Sequence, residues 1–339
     1  MRRVYLVRHG HPDIPLGARW CLGLTDTPLG TVGRMQAALL PFLPELTNKP
    51  VYSSYLSRAV ETARPLCPEP RIRDGLQEQD LGEWDGLPFT EIMVRWPELY
   101  EAREKNPDIW PESAESTEAV RTRMQAAVLA CLKETDGNIV IVSHKSAIAS
   151  LTGQRPKLLH CSVSTLEWDG EALTPVEVGR MPHPELTEEV CLALLNAAGT
   201  PEHVVAHCRA VADKALQLAD RAEAAGAAPD RGLLFAAALL HDIARTEPDH
   251  AALGAAWMRT LGYPKAAEVI AQHHDYEGEE LNEAALLYLA DKYLQGDREA
   301  TLEERFAGSR QRCTTDEALR AHDRRFETAK RIEKLLNRS

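Results

Sequence analysis

None of the seven cysteines (Cys21, Cys67, Cys131, Cys161, Cys191, Cys208, Cys313) has a close partner in this chain of 339 residues. An odd, scattered set gives no thiolate metal signature and no disulfide framework, and it suits a reducing cytoplasm. No apolar run approaches the ~18 residues of a membrane span, so no membrane partner is expected. Net charge is −12 and no basic stripe stands out, which sets a nucleic acid polymer aside as the main partner. A local basic pocket can still hold an anionic small substrate. The first residues enter a strand almost at once, leaving no room for a signal peptide, so the expected location is cytoplasmic. Oligomeric state leaves no mark. The remainder, 44% hydrophobic and 27% charged over a length that suits two domains, is ordinary for a globular protein.

What is present begins with Val4–His11, VYLVRHGH. Four apolar residues run straight into Arg8, His9 and Gly10, as a strand buried on both faces does at its end. In open α/β sheets that carboxyl edge is where ligands bind. His11–Thr31 reads as a long loop, Gly33–Leu43 as helix, Pro50–Ser54 as strand and Ser57–Ala63 as helix. Leu76–Gly86 is an acidic loop, Thr117–Glu134 a helix and Asn138–Ser143 a strand followed by His144. Ser162–Trp168 and Leu173–Val178 flank the turn signal Asp169-Gly170. Strands alternating with helices and closed by a hairpin make an α/β domain. Arg8, His9, Arg58 and His144 then gather at one sheet edge. Arginine supplies forked, permanently charged donors for phosphate oxygens. A neutral histidine can attack phosphorus and split a hard step into two easier ones. An acid must then protonate the leaving oxygen, and Glu78 in the acidic loop is the candidate.

These pieces resemble the histidine phosphatase superfamily, the phosphoglycerate mutase-like or RHG family. LVRHG places His9 as the nucleophile, SSYLSRAVETA places Arg58 as a phosphate ligand and IVSH places His144 as the second histidine. LQEQDLGEWDG resembles the acid loop with Glu78, and PESAESTEAVRTR ends in a structural arginine, Arg123. The run HPD…CLGLTDTPLGTVGRMQA looks most like the alpha-ribazole phosphatase branch. The resemblance implies a three-layer α/β sandwich with a mostly parallel sheet, and no cofactor. His11 and Lys145 depart from the pattern, where an acidic residue and a glycine are common. Lys145 either reads an extra anionic group of the substrate or points to solvent. Arg123 is read as an ion-paired structural residue, and Cys21, Trp84 and Trp110 as packing.

RMPHP at Arg180–Pro184 marks a linker, dividing residues 1–180 from 181–339. Beyond it the pattern is helical throughout. Thr187–Asn196 is one helix; Thr200 and Pro201 read as the N-cap and first residue of the next, whose apolar face includes His207. GLLFAAALLHDIAR carries His241 and Asp242, and AALLYLADKYL carries Asp291 on the face of Leu287 and Leu294. Burying an unpaired carboxylate costs several kcal/mol. Two carboxylates converging with histidines are most simply explained by a divalent metal: Mn, Fe, Co, Ni or Zn rather than Ca.

This half resembles the HD-domain metal-dependent phosphohydrolases, whose H…HD…D pattern falls on His207, His241-Asp242 and Asp291. The resemblance implies an all-α bundle. His250 and His273 fall where dinuclear branches place second-metal ligands, so one or two ions are expected, with Asp242 bridging two. His274 is a ligand, a substrate contact or neither; Lys292 meets a phosphate or is a surface residue. His183, His203 and His322 read as surface residues. The glycine-rich extension of the cyclic-dinucleotide branch is absent. The leading expectation is a bifunctional phosphohydrolase acting on small phosphorylated metabolites or nucleotides. The alternative is a phosphatase regulated by a non-catalytic, metal- or nucleotide-binding HD sensor. A phosphoglycerate-type mutase is disfavoured by the short acid-loop region.

Overall fold

The computed structural model describes residues 1–153 and 158–337. The chain divides into two compact units, Met1–Pro184 and Glu185–Ser339. The first is built on a six-stranded sheet of β1 (Arg2–Arg8), β2 (Val51–Ser53), β3 (Arg71–Ile72), β4 (Ile139–Ser143), β5 (Val163–Trp168) and β6 (Leu173–Arg180), in the order β3-β2-β4-β1-β5-β6. The pairs β1–β4, β2–β4 and β2–β3 are parallel; β5 and β6 add an antiparallel edge hairpin beside β1. A strand shows alternate residues to opposite faces. Val4 and Leu6 of β1 therefore pack with Val120, Met124, Val128 and Ile148 on one side. Tyr5 and Val7 pack with Leu40, Val51, Ala59 and Ala63 on the other. Both faces are covered, which is why VYLV and IVIV read as unbroken apolar runs.

The helices carry their own start and stop signals. Ser116 caps Thr117–Lys133 by accepting from Ala119 N–H at 3.1 Å. The helix expected over Gly33–Leu43 instead spans Thr31–Ala38 and gives way to a short 3-10 turn, Leu40–Phe42, where Pro41 lacks the N–H a helix needs. Gly33 sits on this helix where the chain after β1 crosses it. A Cβ there would lie 2.1 Å from His11 O, so only glycine admits the crossing that seats the residues after His9. Two helices not anticipated from sequence, Phe89–Arg95 and Pro97–Lys105, enclose a small cluster of Cys21, Leu81, Trp84 and Ile92, with Trp110 packed against it.

The second unit contains the helices Glu188–Ala198, Glu202–Ala224, Arg231–Leu240, His250–Thr260, Pro264–Ala271, Glu283–Lys292, Leu302–Arg310 and Asp316–Leu336. Its long second helix begins one residue later than expected: Pro201 is its N-cap, and the Thr200 hydroxyl donates to Ile243 O at 3.3 Å instead. His322 is buried rather than on the surface, because its face of Asp316–Leu336 packs against Leu302–Arg310. Its Nε2 lies 3.0 Å from Phe306 O and 3.1 Å from Ser309 Oγ. Among the described residues no helix is long and apolar enough to cross a membrane.

Candidate active site and metal centre

Parallel pairing decides which side chains meet in the first unit. Arg8 of β1 stands opposite Ser143 of β4, so the next residues, His9 and His144, leave the sheet side by side. Their ring centroids are 5.0 Å apart. His9 Nδ1 lies 2.7 Å from Gly10 O. A carbonyl only accepts, so Nδ1 carries the proton and Nε2 keeps its lone pair. His144 Nε2 lies 2.9 Å from Ser54 Oγ, at the end of β2 on the other side of β4. Burial, followed by the facing His144, Arg58 and Arg8, holds His9 well below the ordinary imidazole value. Burial followed by Arg58, Arg8 and Arg123 does the same to His144.

Both arginines are tied back by backbone carbonyls. Arg58 is fully buried; its Nη1 donates to Thr25 O at 2.8 Å and its Nη2 to Gly23 O at 2.6 Å. Arg8 donates to Leu158 O at 2.6 Å and to His160 Nε2 at 2.8 Å. Burial lowers Arg8 to about 10, which leaves it charged at neutral pH. Arg8 Nε, Arg58 Nε and His144 Nδ1 are buried without a hydrogen-bond partner among the described residues. Buried donors of this kind are ordinarily satisfied, and a phosphate oxygen is the acceptor that matches them.

Glu78 is buried at the N-terminus of the helix Lys145–Thr152, where its carboxylate accepts from Ser146 N–H at 3.2 Å and Ala147 N–H at 3.1 Å. Arg123 braces the loop that carries it, donating to Gly75 O (2.8 Å), Gln77 O (2.8 Å) and Glu78 O (2.9 Å) while ion-paired to Glu115. Arg123→Ala strands three carbonyls and a carboxylate. It is expected to cost about 2 kcal/mol of stability and, by loosening Glu78, about 10- to 100-fold in kcat. Thermal melts and steady-state assays check both effects. Lys145 does not join the buried group. It is exposed at the start of its helix.

Sequence reasoning missed Ser54 and His160. His160 is held well below the ordinary imidazole value by burial, then Arg8, His9, His11 and Lys145. With His9 and His144 it makes three groups that stay neutral when folded but take up protons near pH ~6.5 when unfolded. The unfolded state then binds more protons, so stability falls as pH drops below that value, by at most about 1.4 kcal/mol per pH unit per group. Melting temperature is expected to decline from pH 7 to pH 5, less steeply in His160→Gln; an equal slope contradicts the assignment.

In the second unit the six expected ligands converge: five lie at or near a helix end, and His207 lies in the second turn of Glu202–Ala224. His207 Nδ1 lies 2.6 Å from Gly296 O, His241 Nδ1 2.7 Å from Ala238 O and His273 Nδ1 2.8 Å from Ile270 O. Each carbonyl fixes the proton on Nδ1 and turns the Nε2 lone pair inward, as the outer partners of metal-binding histidines do. His207 Nε2 is 3.2 Å from Asp291 Oδ1, and His241 Nε2 is 3.7 Å from Asp242 Oδ2. The other oxygen, Asp242 Oδ1, lies 3.1 Å from His250 Nε2 and 3.6 Å from His273 Nε2. His241 Nε2, His273 Nε2 and Asp242 Oδ1 are buried without a hydrogen-bond partner among the described residues. Three groups bring their donor atoms within 4.8 Å of one another: His207, His241 and Asp291; His241, Asp242 and His273; His250, His273 and His274. This donor set fits a divalent transition metal.

The charges agree with that fit. Burial lowers His241 to about 4, so its lone pair is available at neutral pH. Burial opposes ionisation of Asp242, but His241, His273 and Arg245 outweigh it and hold the carboxyl well below its usual range. Asp291 is also held down, since Lys292, His207 and His241 overcome its burial. Lys292 is buried rather than on the surface, with Nζ 2.6 Å from Asp291 Oδ2 and 3.3 Å from His273 O.

Two family models match the chain. The family model for the histidine phosphatase superfamily (branch 1) matches residues 4–180, and that for the HD domain matches residues 204–295. Glucosyl-3-phosphoglycerate phosphatase of Mycobacterium tuberculosis is 32% identical over 171 residues, 46% of this chain and 76% of that protein. Bifunctional protein Rv2228c of the same species is 31% identical over 156 residues, 44% of this chain and 43% of that protein. The solved structure of Bacillus stearothermophilus YhfR superposes with a TM-score of 0.50 at 27% identity, covering 55% of this chain and 100% of that one. The chain belongs to the histidine phosphatase superfamily, as a hydrolase of phosphoric esters that carries an HD domain in its second unit.

Proposed function

We propose that the chain is a cytoplasmic bifunctional phosphohydrolase, with a histidine phosphatase domain over residues 1–180 and an HD phosphohydrolase domain over 181–339. In the first, His9 Nε2 attacks the phosphorus of a monoester and becomes the phosphohistidine. Arg8, Arg58 and His144 hold the phosphoryl oxygens through their buried donors. Glu78 protonates the leaving oxygen and then takes a proton from the water that releases phosphate. Lys145 stands at the rim for a further anionic group of the substrate. The observation that supports this most is the pairing of His9 and His144 at the end of adjacent parallel strands, beside two arginines with unpartnered Nε–H groups.

In the second domain His207, His241, Asp242 and Asp291 would hold one ion, and His250, His273 and His274 with Asp242 a second. A divalent metal there supplies Lewis acidity toward a phosphate and activates water for attack. The two oxygens of Asp242 face different histidines, so Asp242 would be within reach of both ions. The chain's own part is to aim Nε2 of His207, His241 and His273 inward from carbonyls at Nδ1 and to hold Asp291 against Lys292. Mn, Fe, Co, Ni and Zn all suit these ligands.

The substrates are small phosphorylated metabolites or nucleotides. Phosphorylated sugar acids enter the screen through the named activity of the mycobacterial relative. The test is a panel of monoesters, diesters and nucleotides assayed with and without chelator on wild type, His9→Ala and Asp242→Ala. Two activities are expected, one chelator-resistant and lost with His9, one metal-dependent and lost with Asp242. Metal-loaded protein that turns over nothing metal-dependent across the panel makes the HD domain a sensor.

A further inference from the structure

The segment around His160 is laced onto the strand end that carries the nucleophile. Cys161 N–H donates to Arg8 O at 3.0 Å and to His9 O at 3.3 Å, and Arg8 N–H donates to Ser162 O at 3.0 Å. Cys161 is left-handed at φ 59°, a conformation that an L side chain rarely adopts and that survives only where its surroundings impose it. The strained residue directly follows His160. The His160 ring lies 5.5 Å from that of His9 and 5.1 Å from that of His11. Arg8 Nη2 is 2.8 Å from His160 Nε2. A guanidinium has five donors and no acceptor, so this nitrogen of His160 must present its lone pair. Leu158 O takes the other terminal nitrogen at 2.6 Å, while Arg8 Nε–H is left buried and unpartnered among the described residues.

We propose that His160 is a positioning residue of the phosphatase site: its Nε2 lone pair accepts from Arg8 Nη2 and, with Leu158 O, fixes the guanidinium so that its Nε edge faces the phosphoryl group. The proposal rests on the phosphatase reading of residues 1–180. A free guanidinium on a flexible stem must be ordered each time an anion binds; one clamped at both terminal nitrogens is ordered beforehand. Burial first, then Arg8 and His9 on the strand end, His11 in the following loop and Lys145 on the neighbouring helix oppose a proton on His160, which keeps the acceptor intact at neutral pH. A protonated His160 turns a donor toward Arg8 and releases the clamp.

The test is a double-mutant cycle on the full chain, with p-nitrophenyl phosphate as substrate, inorganic phosphate as competing ligand and circular dichroism as the control for folding. His160→Ala is expected to lower kcat/KM about 10- to 100-fold and weaken phosphate binding in parallel. His160→Gln, which keeps an acceptor, stays within about threefold of wild type. In an Arg8→Ala background the same His160→Ala change costs less than about threefold, because the group it positions is gone. Should His160→Ala fail to fold, His160→Phe keeps the ring without an acceptor and replaces it. An equal penalty in both backgrounds, or a folded His160→Gln as impaired as His160→Ala, overturns the proposal. With chelator present throughout, turnover that survives His9→Ala overturns the phosphatase reading and this proposal with it. Turnover lost in His9→Ala but unchanged in His160→Ala overturns this proposal alone.

Discussion

His9→Ala is expected to lower chelator-resistant monoester hydrolysis by about 10⁴-fold or more, the scale on which removing a covalent nucleophile acts. The size follows from what remains. Arg8, Arg58 and His144 still offer their buried donors, so inorganic phosphate binds within about tenfold of wild type, while no group is left to form the bond to phosphorus. The loss therefore falls on kcat. His144 does not substitute for His9. Its Nε2 is engaged by Ser54, and its ring is fixed at the start of a neighbouring helix. A His9→Ala protein that keeps a tenth of its monoesterase activity contradicts the assignment. Any metal-dependent activity is expected to be the same in this variant as in wild type.

Asp242→Ala is expected to remove metal binding. Among the described residues Asp242 is the carboxylate that faces both His241 and the pair His250 and His273, so its loss is expected to weaken each group. It also removes the carboxylate that faces His250 and His273, and leaves His241 with Asp291 alone at 3.9 Å. A ligand that binds only the folded state stabilises it by RT ln(1 + [L]/Kd), about 4 kcal/mol at a thousandfold excess over Kd. Wild type is thus expected to melt several degrees higher with added Mn or Zn than after chelation, and Asp242→Ala to show no such rise. Elemental analysis of the purified proteins gives the second readout: metal in wild type, less than a tenth as much in Asp242→Ala. Asp242→Asn, which keeps the volume and one oxygen, separates lost ligation from a cavity. Unchanged metal content in both variants contradicts the ligand assignment.

Both sites were legible where a continuous apolar run ends on polar residues. VYLV leading into Arg8-His9, IVIVS into His144 and LLFAAALL into His241-Asp242 announce chemistry at the end of a buried element. The chain shows that each run ends without showing which ends are neighbours; that depends on strand order, which brings β2, β4 and β1 together across long separations. His160 was invisible for the same reason, since its partner Arg8 lies 152 positions away and no periodicity links them. The sequence around Lys292 suits a phosphate contact and a surface residue equally. Its burial follows from helix rotation, which sequence spacing sets only coarsely. The helices Phe89–Arg95 and Pro97–Lys105 are short, polar and interrupted by Trp96-Pro97, so neither shows a clear apolar stripe. Thr200 had the chemistry of a cap but spends its hydroxyl on Ile243 O, a tertiary contact that outweighs a local one.

The central claim is that the first unit hydrolyses monoesters through His9 without metal. It is tested most directly by rapid quenching of chelator-treated protein with a phosphorus-labelled monoester. An acid-labile, base-stable label on His9 is expected, formed equally with and without chelator, present in Asp242→Ala and absent from His9→Ala. Label that disappears on chelation, or that persists in His9→Ala, contradicts it.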